Sequence, residues 1–287
     1  MGKPKKNRIL FKILGLLALA VVCIGGVELL VCRFAAPDLY EKVTAPMEAL
    51  VEQAVSAGSQ VAGQMAESLS RKEEDPPVDQ KVSEPTDGEA PPAEDPAVTE
   101  FVTRQDREIL TGGVVEMVYY NQGEDPWADA PYGPDEIRGY GCGPTSMAML
   151  ISSLLEEDLD PAQAAREANE AGYCAPGSGS YLSIVEGMAA RYGLQAESCP
   201  DISAQELCQQ LASGSLFVAL MSKGHFTNGG HFIVLRGATL EGKVLVADPN
   251  SRERSLAGWD PQLILDELSA SRSNGAPLWR FSTLGAP

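Results

Sequence analysis

The chain has 287 residues, 44% of them hydrophobic, which is enough for at least one sizeable core. Its formal net charge of -18 argues against a nucleic-acid surface, because phosphate recognition needs a clustered basic face. The Lys and Arg residues after position 100 are instead scattered. We therefore expect a globular protein without a nucleic-acid partner.

The six cysteines are too few for a disulfide-rich scaffold and lack the paired Cys-x-x-Cys spacing of a zinc site. The sequence thus predicts neither a metal nor a cofactor. Cys23 and Cys32 lie in an apolar N-terminal stretch. If one of the other four is a nucleophile, the remaining three can form at most one bridge, and three ordinary half-buried thiols are the favoured interpretation.

The chain opens with a basic tail, residues 1–8, which is followed by an apolar run, residues 9–32. About 20 apolar residues suffice to cross a bilayer, and Lys12 and Glu28 lie near the ends of the run, within reach of the interfaces. The run predicts a transmembrane helix in contact with the lipid bilayer. By the positive-inside rule, the N-terminus lies in the cytoplasm and the rest of the chain lies outside.

A cleaved signal peptide is the alternative, since it shares the basic start and the apolar core. The residues that follow Val31 are Cys-Arg-Phe-Ala-Ala-Pro, which offer no small-x-small cleavage pattern. An uncleaved anchor is therefore the favoured prediction, and secretion after cleavage is the alternative.

Three further segments follow the apolar run. Residues 33–70 carry apolar side chains near helical spacing and predict a stalk helix. Residues 71–100 are crowded with Pro, Glu and Asp, so burial cannot offset the entropy of ordering, and a disordered linker is expected. Residues 101–287 should then form the compact catalytic domain.

Cys142 lies where a glycine-rich loop changes to a helical pattern. Pro144 suits a first helical turn, and apolar residues recur at helical spacing beyond it. A thiol at a helix N-terminus lies at the positive end of the peptide dipoles, which favours the thiolate. A small buried cysteine in a helix cap is the structural alternative.

The chain has two histidines, His225 and His231, and the second opens an apolar run typical of a strand. After a Glu-Gly turn, a second apolar run ends at Asp248. In an antiparallel hairpin these two ends lie at one edge, so Asp248 could orient His231 and fix its tautomer. Taken singly, His231 could be a core-edge histidine and Asp248 a capping residue, and His225 is an alternative base.

Four segments together resemble the papain-like cysteine peptidases of family 39, which are related to the double-glycine leader peptidases that process bacteriocins. They are Tyr-Tyr-Asn-Gln-Gly-Glu-Asp-Pro-Trp from Tyr119, Gly-Cys-Gly-Pro-Thr-Ser around Cys142, and Gly-Gly-His-Phe-Ile-Val-Leu with Val-Ala-Asp-Pro-Asn. The resemblance implies a peptide or protein substrate and an attack by Cys142 on its carbonyl carbon. It further implies that His231 transfers the proton, Asp248 orients His231, and Gln122 donates a hydrogen bond to the oxyanion.

The resemblance also implies an α+β papain-like fold, in which a helical half led by the Cys142 helix faces a small antiparallel sheet. Ser180 is expected to cap one of the helices. Further helices are expected over residues 161–171, 181–192 and 203–213. Strands are expected over residues 216–221, 232–236 and 244–247.

The function that follows is a membrane-anchored cysteine peptidase that acts outside the cytoplasm. Unlike the bacteriocin-exporting members, the sequence carries no transporter segment, so specificity for a double-glycine leader is not expected. An acyl transferase or deamidase would use the same residues. A non-catalytic binding or sensory module is the third hypothesis.

Overall fold

The structure is a computed structural model that describes residue 91, residues 98–155 and residues 157–281. The predicted basic tail, transmembrane helix and stalk helix lie outside the described residues, as does nearly all of the predicted linker. Within the described ranges, none of the helices combines the length and the apolar character needed to cross a bilayer.

The described residues form an α+β structure. Its helices are α1 (Ile137–Tyr140), α2 (Cys142–Leu155), α3 (Pro161–Glu170), α4 (Ile184–Arg191), α5 (Ala204–Ala212), α6 (Arg252–Leu256) and α7 (Pro261–Asp266).

The strands fall into one large sheet and three small ones. The small sheets contain β1 (Phe101–Arg104), β2 (Arg107–Leu110) and β3 (Met117–Val118), then β4 (Pro131–Tyr132) with β5 (Asp135–Glu136), and β6 (Cys174–Ala175) with β7 (Gly179–Ser180). The large sheet contains β8 (Glu197–Ser198), β9 (Leu216–Met221), β10 (His231–Ala238), β11 (Val244–Ala247), β12 (Gly258–Trp259) and β13 (Leu278–Phe281). Its order is β12-β11-β10-β9-β13-β8, and all of its pairs are antiparallel.

The large sheet buries both of its faces. Along β10, Phe232 and Val234 belong to the cluster that includes the α2 side chains, whereas Ile233 and Leu235 belong to the cluster that includes Leu207 of α5. A strand covered on both faces needs apolar residues on both sides. This explains why β9 and β10 read as continuous apolar runs and do not alternate.

The predicted helices and strands are present, with shifted ends. β10 begins one residue before the predicted strand, at His231, and α4 begins at Ile184, three residues later than predicted. The prediction that Ser180 caps a helix is wrong, because Ser180 lies in β7 and its buried Oγ is 2.8 Å from the hydroxyl of Tyr132. The hairpin that β1 and β2 form was not predicted.

A buried arginine joins this N-terminal hairpin to the large sheet. Arg236 of β10 donates from Nε to the carbonyl oxygen of Val246 at 2.9 Å. Its Nη1 and Nη2 donate to the carbonyl oxygen of Thr111 and to Thr99 Oγ1, both at 2.6 Å. Burial lowers the pKa of Arg236 to about 9. The guanidinium thus donates to uncharged oxygens, and its hydrogen bonds link the two ends of the hairpin to the sheet.

Candidate active site

Cys142 is the first residue of α2, and two hydrogen bonds fix this helix against the start of β10. The N–H of Phe232 donates to Cys142 Sγ at 3.4 Å, and Ser146 Oγ donates to the carbonyl oxygen of Phe232 at 3.2 Å. Ser146 lies one turn after Cys142, so both contacts arise from the same face of the helix. Cys142 is only 1% exposed. The thiol is thus held beside the residue that follows His231.

His231 opens β10 and lies between the thiol and a carboxylate. Its Nε2 is 2.8 Å from Asp248 Oδ1, and Cys142 is near enough to the ring to affect its pKa. Because Nε2 faces Asp248, Nδ1 is the nitrogen left for the sulfur. Burial lowers the pKa of His231, but Asp248, through its charge and its hydrogen bond, and the nearby Cys142 outweigh burial and raise it to about 9. The position therefore favours an imidazolium.

Asp248 directly follows β11, and its fully buried carboxylate accepts three hydrogen bonds. Oδ1 accepts from His231 Nε2 and from the Asn250 N–H, each at 2.8 Å, and Oδ2 accepts from Arg254 Nε at 2.5 Å. Burial raises the pKa of Asp248, but the charges of His231 and Arg254 and their hydrogen bonds lower it to about 2. The carboxylate is consequently ionised at any pH near neutrality.

Gln122 lies near α1 and is fully buried, but it has no hydrogen bond with Cys142, His231 or Asp248 in the described part of the chain. Its Nε2 donates to the carbonyl oxygens of Ile137 and Arg138, at 3.3 and 2.9 Å. Its Oε1 has no hydrogen-bond partner among the described residues. Reversing the amide would set Oε1 against two carbonyl oxygens, so the donor orientation is the favourable one.

Helix α6 holds the loop that carries Gln122. Arg252 of α6 binds both carboxylate oxygens of Glu124 at 2.7 and 2.8 Å, and both of Glu108 in β2 at 2.9 and 2.7 Å. The guanidinium also lies over the Phe101 and Tyr119 rings, at 4.9 and 5.4 Å from their centroids. Hydrogen bonds to Glu124 and Glu108 raise the pKa of Arg252 above its usual value.

Arg252 and Arg254 are the residues of this region that the sequence analysis missed. Both follow Asp248 within the run Asp-Pro-Asn-Ser-Arg-Glu-Arg-Ser. A serine after Asp-Pro-Asn is a helix N-cap signal, and Ser251 does accept from the Arg254 N–H at 3.1 Å. This pattern predicts a helix, but it does not predict which carboxylates Arg252 and Arg254 bind.

His225 lies in contacts of a different kind. Its Nδ1 is paired with Glu267, its backbone N–H donates to the same carboxylate at 2.9 Å, and its ring meets Trp259 edge-on at 6.0 Å. The His225 ring is therefore paired with Glu267 and not with Cys142. None of the four cysteines of the described residues, which are Cys142, Cys174, Cys199 and Cys208, forms a disulfide.

A thiol at a helix start beside an imidazole that is paired with a buried carboxylate is typical of papain-like cysteine peptidases. The chain belongs to the Peptidase_C39 like family, whose model matches residues 114–261. The family name and the residues at the site both indicate a cysteine peptidase. A Bacillus anthracis crystal structure, provisionally named a C39-like peptidase, is 18% identical and covers 57% of this chain and 93% of its own, with a TM-score of 0.35. No curated protein matches the chain.

Proposed function

We propose that the chain is a membrane-anchored cysteine peptidase in which Cys142 is the nucleophile, His231 the base and Asp248 the residue that orients it. The observation that carries the proposal is the position of His231, which is hydrogen-bonded to Asp248 and directly precedes the residue whose N–H donates to Cys142 Sγ. Membership of a cysteine peptidase family supports the same reaction.

In the proposed reaction, Cys142 Sγ gives its proton to His231 Nδ1 and attacks the carbonyl carbon of the substrate. The tetrahedral intermediate collapses when the C–N bond breaks, and His231 returns the proton to the leaving amine. Water then attacks the thioester, gives one proton to His231, and releases the acid as the thiolate leaves. Asp248 stabilises the imidazolium at each stage and stays ionised.

Two donors are proposed for the oxyanion. The Cys142 N–H is one of the first N–H groups of α2, which have no acceptor within the helix. Gln122 is the second, and its planar amide would have to move as a unit so that Nε2 leaves the carbonyl oxygen of Ile137 and donates to the oxyanion. The bond to Ile137 is the longer of the two, at 3.3 Å against 2.9 Å for the bond to Arg138, so it is the one more easily broken.

The location is proposed from the sequence. The basic tail, residues 1–8, and the apolar run, residues 9–32, support a single-pass anchor in the lipid bilayer, with the domain of residues 101–287 outside the cytoplasm. Peptides or proteins in that compartment would be the substrates.

The test is the reactivity of each cysteine in the full chain. We expect iodoacetamide to modify Cys142 at mildly acidic pH faster than Cys174, Cys199 or Cys208, because the neighbouring His231 can take up the proton of Cys142. Mass spectrometry of the tryptic peptides measures each rate. Equal rates for all four would contradict the proposal.

Digestion of a peptide library then tests the reaction. The full chain should cleave peptides, Cys142→Ser should not, and Cys208→Ser should match the parent because Cys208 lies outside the site. Added amines that intercept the acyl group would show transferase activity in place of hydrolysis. If Cys142→Ser cleaved as fast as the parent, the assignment of the nucleophile would be wrong.

A further inference from the structure

Arg254 lies where its guanidinium can fix the carboxylate that faces His231. Its Nε donates to Asp248 Oδ2 at 2.5 Å, on the oxygen that His231 does not use. The side chains of Arg254 and Asp248 are 10% and 0% exposed. A charge-assisted hydrogen bond in so dry a site is strong and directional.

The backbone of Arg254 is itself held from two sides. Its N–H donates to Ser251 Oγ at 3.1 Å, and its carbonyl oxygen accepts from Trp259 Nε1 at 3.0 Å. Trp259 is fully buried, so this second anchor is rigid. The guanidinium therefore reaches Asp248 from a fixed starting point.

The other groups around Asp248 contact different atoms. The Tyr119 hydroxyl donates to the backbone carbonyl oxygen of Asp248 at 3.0 Å, and Cys142 contacts His231 and not the carboxylate. Arg236 donates to the carbonyl oxygens of Val246 and, at 3.4 Å, Ser255. Within the described part of the chain, Arg254 is thus the cation on Oδ2.

We propose that Arg254 is a positioning residue for the reaction at Cys142, because it holds Asp248 in the orientation in which Oδ1 accepts from His231. The inference rests on the proposed function and adds a fourth member to the hydrogen-bonded set. Without Arg254, Oδ2 loses this donor, and only the two bonds to Oδ1, from His231 and from the Asn250 N–H, still orient the carboxylate. The carboxylate would then hold the His231 ring less firmly in the direction of the sulfur.

The test compares Arg254→Met with Arg254→Lys in the full chain, with the pH dependence of Cys142 alkylation as the readout. Methionine keeps the apolar stem of arginine but loses its charge and its hydrogen-bond donors. Lysine keeps a positive charge and a donor. We expect the rate at about pH 6 to fall about 10-fold in Arg254→Met and to recover in Arg254→Lys. Arg191→Met, which breaks a half-exposed ion pair with Glu167, should match the parent.

A double-variant cycle separates positioning from a general structural effect. In an Asp248→Asn background, Arg254→Met should change the rate by less than about 2-fold, since the carboxylate that Arg254 holds is already absent. An equal loss in both backgrounds, or an unchanged rate in Arg254→Met, would overturn the inference. Enhanced reactivity of Cys142 in the parent would still leave the proposed function intact. Ordinary reactivity of Cys142 in the parent would instead refute the proposed function. Urea unfolding shows whether each variant is folded.

Discussion

Replacing Asp248 by asparagine tests how strongly Asp248 stabilises the protonated form of His231. The carboxylate accepts from three donors, which are His231 Nε2, the Asn250 N–H and Arg254 Nε. An amide has one acceptor oxygen, so its NH2 must face a donor whichever way it turns. It meets Arg254 Nε in one orientation and the Asn250 N–H in the other. Asp248→Asn therefore removes a charge and cannot satisfy the site.

The magnitude follows from the pKa of His231. The charge of Asp248 is the largest of the contributions that raise this pKa to about 9, and burial opposes it. Without the carboxylate the pKa of His231 should fall to near its ordinary value of 6.5. A difference of about 2.5 in pKa corresponds to about 3 kcal/mol of imidazolium stabilisation, or about 300-fold in the equilibrium constant for proton binding by His231.

The assay is Cys142 alkylation by iodoacetamide across a range of pH, followed by mass spectrometry. We expect the rate at about pH 6 to fall by about two orders of magnitude in Asp248→Asn. Asp260→Asn is the matched control, because Asp260 caps α7 through Oδ1 and asparagine caps a helix equally well. A decrease of less than about 3-fold in Asp248→Asn would refute the reasoning, since Asp248 would then not be what stabilises the imidazolium.

Three further changes test other parts of the structure. Arg236→Met should speed tryptic cleavage at Arg104 and Arg107 about 10-fold, because Thr99 and Thr111 lose their link to the sheet, and cleavage at the parent rate would contradict this. Ser203→Ala should destabilise the fold by about 1 kcal/mol in urea unfolding, since the capping box with Glu206 is lost, whereas an unchanged midpoint would argue against it. Gly143→Ala should slow Cys142 alkylation, because a Cβ at this position would lie 2.5 Å from Ser180 Oγ. Adding Ser180→Gly should restore the rate, and failure to do so would exclude this clash as the cause.

The parts of the site that local sequence could predict are those fixed by one element or one hairpin. Cys142 lies at a helix start because glycines precede it and Pro144 follows it. His231 and Asp248 meet because a short antiparallel hairpin brings the start of its first strand to the end of its second. The register pairs Val234 with Ala247, which sets both residues at the same edge. The distance of 2.8 Å between their side chains agrees with that argument.

The parts that could not be predicted depend on contacts between distant segments. The orientation of the Gln122 amide is set by the carbonyl oxygens of α1, which no pattern around Gln122 reveals. Arg252 and Glu124 are 128 residues apart in sequence, and only the tertiary fold brings them together. Ser180 looked like a cap because a helical pattern follows it, but a hydrogen bond with Tyr132 holds it in a strand instead. Tertiary contacts outweighed the local preference in each case.

The position of β13 in the sheet determines when the fold can be completed during synthesis. β13 comes last of the described strands in sequence, yet it lies between β9 and β8, and Trp279 pairs with Val218 on one side and Ser198 on the other. A nascent chain that ends before Leu278 leaves β9 with an open edge and β8 without a neighbour. The large sheet can therefore be completed only after residues 278–281 have left the ribosome, which leaves an interval in which a translocase or a chaperone can engage the unfolded domain.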